Sequence, residues 1–169
     1  MGVITRVAGT GTAGNSGDDG PATEAELNGP FGVAVTADGG FLIADQGNSV
    51  VRKVSPAGVI TRVAGTGTFG NSGDDGTATA AELFGPAGVA VSADGGFLIA
   101  DSGNNVVRKV SSAGVITRVA GTGTQGNSGD DGTATAAELN SPTGVAETAD
   151  GGFLIADNGN SVVRKVVLA

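Results

Sequence analysis

The chain repeats itself every 56 residues, and this period constrains the fold more than any single motif. The phrase "GVITRVAGTGT" begins at Gly2, Gly58 and Gly114. The first and second copies of the unit differ at 9 of 56 positions, and the second and third at 10. Near-identity at this period means one supersecondary unit that buries its apolar face by stacking on its own copies. The units run 2–57, 58–113 and 114–169, so a single repeat domain is expected over 1–169, with no linker, tail or capping repeat.

Four strands are expected in each unit. In the second, "GVAVSADG" from Gly88 alternates Val89 and Val91 with small residues, and "GGFLIAD" from Gly95 is the short apolar run of a central strand. "NVVRKVS" from Asn105 is β-branched, and "GVITRVAG" from Gly114 sets Val115, Thr117 and Val119 against Ile116 and Arg118. The joints "ADGG", "DSGN" and "SSAG" have hairpin turn chemistry, which makes the unit a four-stranded antiparallel meander. An insert, "GTGTFGNSGDDGTATAAELFGP" from Gly65, follows the outer strand. Its Thr79/Glu82 pair has capping-box spacing, repeated at Thr135/Glu138 and Thr23/Glu26. This predicts one helical turn with Leu27, Leu83 and Leu139 directed into the core.

The units resemble NHL repeats of the bacterial long-insert type. The likeness rests on "GVITRVAGTGT", "GDDGTATAAEL", "P-x-GVAV", "GGFLIAD-x-GN" and "VVRKV", and it extends over the whole chain three times. It implies an all-β fold: a β-propeller of four-stranded blades, three to a chain and commonly six to a ring. The meander reading agrees independently, since four-stranded units in radial array form propellers. Where the family often carries a basic residue after "GN", this chain has Val50, Val106 and Val162. Propeller lyases of similar fold depend on His or Tyr, and the chain has neither.

In an NHL-like blade "GVITRVAG" is the outermost strand. The chain therefore opens on an outer strand with no inner strands of its own, and its last three strands, 144–166, lack an outer one. Three blades closing alone need wedges of roughly 120°, outside the range of about four to eight blades seen in propellers. An open arc leaves two faces of about 19 Å by 17 Å. Each has about 300 Å² of largely apolar surface, worth on the order of 7 kcal/mol, and the unpaired edges invite aggregation. Two chains head to tail remove both problems. The expectation is a six-bladed homodimer in which Val3, Ile4, Thr5, Arg6 and Val7 of each chain form the outer strand of the other's last blade. Nine blades from three chains, or eight with a mismatch, are the alternatives.

The residue inventory narrows the chemistry. Charged residues make up 15% of the chain, the net charge is −8, and Cys, His, Trp and Tyr are absent. Nucleic acid and anionic membrane are not expected partners, because phosphate binding needs Lys/Arg patches. Disulfides are excluded, as are the commonest general base and metal ligand. No 18-residue apolar run predicts a membrane span, no signal peptide is read after Met1, and the compartment is not legible.

The carboxylates are the remaining candidates for ion or ligand contact. Asp18/Asp19, Asp74/Asp75 and Asp130/Asp131 sit in "GNSGDDG" loops, where calcium is one reading and ordinary turn chemistry the preferred one. Asp45, Asp101 and Asp157 end the second strands and recur around one face, either at the channel mouth or, preferably, in Asx turns. Glu147 replaces the Val of the other units and is expected beside the central channel. Arg6, Arg62 and Arg118, with Arg52/Lys53 and their equivalents, are expected as solvated edge charges or blade-to-blade ion pairs. Phe31, Phe69 and Phe84 are the only unit-specific aromatic candidates for a binding face.

No asymmetric acid/base pair appears, so neither an enzyme nor a cofactor or metal is expected. The expectation is a self-assembling structural scaffold, with a ligand- or peptide-binding propeller module as the alternative. Such regularity is what recent amplification of one blade, or an engineered propeller fragment, produces.

Overall fold

The computed structural model describes residues 1–168. It has eleven strands in three antiparallel sheets. The first blade comprises β1 (Pro30–Val35), β2 (Phe41–Asp45), β3 (Val50–Val54) and β4 (Ile60–Ala64). The second repeats it as β5 (Pro86–Val91), β6 (Phe97–Asp101), β7 (Val106–Val110) and β8 (Ile116–Ala120). The third has only β9 (Pro142–Glu147), β10 (Phe153–Asp157) and β11 (Val162–Val166). Each sheet is a simple meander, as short hairpins between antiparallel strands require.

The blades stack face to face through small and β-branched residues. Leu42, Ala44 and Val51 of the first blade meet Val89, Ile99 and Val110 of the second, with Ala78, Ala81 and Leu83 of the insert between them. Leu98 and Val107 meet Phe153 and Ile155 in the same way. The first strands of neighbouring blades approach most closely, and glycine makes this possible. A Cβ on Gly32 would stand 2.5 Å from the carbonyl oxygen of Ala87, and one on Gly88 2.6 Å from that of Thr143.

The inserts are ordered by the blades. Each contains one 3₁₀ turn, at Ala22–Glu24, Ala78–Ala80 and Ala134–Ala136. The turn was expected, but the capping box was not realised. No side chain caps these turns, and Glu26, Glu82 and Glu138 accept bonds from Ser16, Ser72 and Ser128 instead. Thr23, Thr79 and Thr135, the expected N-caps, lie inside the turns, and the residues at the N-cap positions are Pro21, Thr77 and Thr133. Leu83 and Leu139 are buried, while Leu27 packs half-buried against the apolar cluster of the first blade.

The outer strands are not bare edges. Asp19 N–H donates to Ile60 O (2.8 Å), Ile60 N–H to Gly20 O (3.0 Å) and Ala22 N–H to Gly58 O (2.8 Å). The insert thus covers β4 on its outward side, and the same three bonds join Asp75, Gly76 and Ala78 to β8. This cover protects the edge from pairing with another chain. Arg6, Arg62 and Arg118 are solvent-exposed as expected.

Candidate functional site

The inserts are stapled to the blades by one arginine each, buried in the first two and partly exposed in the third. Arg52 lies on β3 with its side chain fully buried. Its Nε donates to Asp18 Oδ1 (2.9 Å), Nη1 to Glu26 O (2.7 Å) and Nη2 to Ser16 O (3.0 Å). Nη1 also stands 3.6 Å from Asp45 Oδ2. Arg108 repeats the set with Asp74, Glu82, Ser72 and Asp101, and Arg164 with Asp130, Glu138, Ser128 and Asp157. This corrects the expectation for Arg52 and its equivalents, which are neither solvated nor blade-to-blade links. A readable signal was present: the period-two alternation of a strand puts Arg52 on the face of Val50 and Val54. Lys53, on the opposite face, is partly exposed and pairs with Asp38 (2.7 Å).

The second-strand aspartates are internal too. Asp45, Asp101 and Asp157 are fully buried, not placed at a channel mouth. Asp45 Oδ1 accepts the Asn28 amide (2.7 Å) and Oδ2 the Asn48 side-chain amide (2.8 Å), which also donates to Gly14 O (2.7 Å). Burial raises the Asp45 carboxyl above its ordinary range and lifts Asp101 to about 6, opposed by the Asn104, Phe84 and Arg108 donors. Asp19, Asp75 and Asp131 adopt positive φ in turns, their amides free to serve the outer edge. Glu147 sits at the end of β9 and accepts the Ala93 amide of the preceding blade (2.6 Å), so its charge bridges two blades. Phe69 and Phe84 are exposed and face each other at 5.5 Å between ring centres, in the second unit only.

The feature that distinguishes the ends of the molecule is an interrupted core. Leu42 and Leu98 are 2% exposed, whereas Leu154, at the same position of the last blade, is 37% exposed. Val51 and Val107 are wholly buried and Val163 is 70% exposed. At the other end Val33 is 69% exposed where Val89 is 7%. The two end faces are the two halves of the blade-to-blade contact seen twice inside the chain. Residues 1–7 form no strand, and Val3 and Ile4 are almost completely exposed.

Comparison with known proteins agrees with this geometry. The NHL repeat family matches residues 85–109, within the second blade. The Protein SUPPRESSOR OF QUENCHING 1, chloroplastic, of Arabidopsis thaliana is 33% identical over 94 residues, 55% of this chain and 9% of that protein. A structural genomics protein of unknown function from Bacteroides thetaiotaomicron is 32% identical with a TM-score of 0.66, covering 76% of this chain and 32% of that one. An auxiliary nutrient binding protein from Bacteroides ovatus shares the fold at 24% identity and a TM-score of 0.65, covering 85% of this chain and 38% of that one. The chain thus spans little more than a third of these structures at most, and a small fraction of the plant protein. A match to the NHL repeat family inside one unit, two further copies of that unit and blades shared with solved structures support an NHL-repeat β-propeller reading of this chain.

Proposed function

We propose that the chain is a self-assembling structural scaffold, a half-propeller that closes with a second copy into a six-bladed ring and carries no catalytic centre. The observation behind this reading is the matched pair of open faces. Leu154 and Val163 at one end correspond to side chains that bury completely wherever a following blade exists. Val33 and Val35 at the other end correspond to side chains covered by a preceding blade. Exposed apolar faces of this kind drive association, and a head-to-tail contact that closes leaves none of them open. The buried carboxylates are all tied to arginine, asparagine or backbone donors, which suits a role in holding inserts on blades rather than in moving protons.

The experiment is native mass spectrometry of the chain and of Leu154→Asp. The wild-type chain is expected as a two-chain species and the variant as a single chain, because a charge at that position cannot enter the closed core. A variant that assembles like the wild type would remove the open face as the driving surface.

A second reading, a ligand-binding propeller module, is favoured by one observation: the exposed Phe69–Phe84 pair, which the second unit alone carries. Binding of a peptide or glycan that Phe84→Ala abolishes would establish it.

A further inference from the structure

In the two complete blades the outer strand has partners on both sides. On the inner side β4 pairs with β3 in the register Val51↔Ala64, Arg52↔Arg62, Lys53↔Thr61 and Val54↔Ile60, and β8 pairs with β7 likewise. On the outer side lies the insert, through Asp19, Gly20 and Ala22 for β4 and Asp75, Gly76 and Ala78 for β8. The strand is clasped between a sheet edge and a loop rather than laid on an open edge.

The third blade has both walls of this clasp. One is β11. The other is the third insert, held in its usual position by Arg164, which donates to Asp130 (2.9 Å), Glu138 O (2.7 Å) and Ser128 O (2.9 Å). Between them runs a groove of about 750 Å³ lined by Asp131, Gly132, Ala134, Val163, Lys165 and Val166, among others. Ala137, Leu139 and Ile155 line it together with the charged Asp130, Arg164 and Lys165, and both walls present the main-chain groups that bind a strand in the other two blades.

We infer that this groove is a strand-binding slot and that its occupant is the segment Gly2–Ala8 of a second copy of the chain; the inference rests on the ring reading. Three observations select that segment. Ile4–Ala8 is identical to Ile60–Ala64 and Ile116–Ala120, which fill the equivalent clasps. Ile60 and Ile116 are wholly buried there, while Ile4 is 98% exposed. The segment also leaves the molecule in the right place. Gly65 N–H, just after β4, donates to Ala78 O of the next insert, and Gly9 N–H makes the same bond to Ala22 O (2.8 Å). Gly2–Ala8 therefore emerges on the side of the first blade where a preceding blade lies in a ring.

The repeat fixes the register. By the 56-residue correspondence, Val163 faces Ala8, Arg164 faces Arg6, Lys165 faces Thr5 and Val166 faces Ile4 of the second copy. On the outer wall the Asp131 amide donates to Ile4 O, the Ile4 amide to Gly132 O and the Ala134 amide to Gly2 O, as their counterparts do in the first two blades. Two such clasps, one at each junction, lock a two-chain ring in addition to face-to-face packing.

Disulfide trapping of the full chain tests this. The Ile60 main chain bonds outward to the insert, so Val54 and Ile60 form a non-hydrogen-bonded pair, whose side chains lie closest across antiparallel strands. The corresponding pair is Ile4 and Val166, and the chain has no cysteine of its own. Oxidised Ile4→Cys/Val166→Cys is expected to migrate as two covalently joined chains under denaturing conditions, with neither single substitution cross-linking. A covalent three-chain species would uphold the slot and overturn the six-bladed ring. A native two-chain assembly with no cross-link would uphold the ring and overturn the slot. A disulfide closed within one chain would overturn both.

Discussion

Buried charge at single residues ties this fold together. Arg108 is wholly buried among two carboxylates and two carbonyls, and removing it strands Asp101 in the core. Arg108→Met is expected to lower the stability of the chain by about 3–5 kcal/mol in denaturant titration. A loss under about 1 kcal/mol would match a surface pair instead. Asp101 adds a pH dependence. Burial lifts its carboxyl from 3.8 to about 6, so between those values the folded chain holds a proton that the unfolded chain has released. Its contribution to stability is full below about pH 4 and is lost as pH rises through about 6. Asp94 and Asp150 act in the opposite sense: bonds from Lys109, and from Thr148 and Lys165, lower them. Their contribution is present above 3.8 and fades as pH falls below it. The melting temperature is expected to be higher at pH 5 than at pH 7.5, and Asp101→Asn should shrink that difference, Asp45 retaining its own share. An undiminished difference in the variant would show that Asp101 does not carry it.

At the scale of elements, strand order and strand edges follow from what each segment can pair with. The segment Gly2–Ala8 has the sequence of an outer strand and no partner beside it. Ile4→Pro removes the amide that the clasp needs and touches nothing in the folded blades, where this residue is exposed. It should leave the circular dichroism of the chain unchanged while weakening self-association at least tenfold in a dilution series. Unaltered association would mean that the segment takes no part in closure. The strands themselves were legible in the sequence: alternation around Val89 and Val91, the apolar run Phe97–Asp101 and the β-branched "VVRKV" each became a strand within a residue or two of expectation. The inserts were not. Their Gly, Asn and Asp content signals turns, but their position depends on long-range bonds such as Asp19 to Ile60 and Arg52 to Ser16, and no local pattern encodes those. The same gap explains the aspartates. Asp45 and Asp18 read as turn residues or ion ligands in isolation, and only the tertiary contact between insert and blade reveals the arginine that joins them.

For the molecule as a whole, the period of 56 residues was legible as an architecture of units that bury their faces on one another, and the two outermost blades carry half-formed contacts of this kind. Leu154, Val163 and Val33 mark those halves. In the proposed ring the number of chains follows from blade geometry and not from any one residue. Sedimentation equilibrium at micromolar concentration tests this most directly. The account predicts a single species at twice the 16.1 kDa of the chain; a species that stays at the mass of one chain across that range would contradict it.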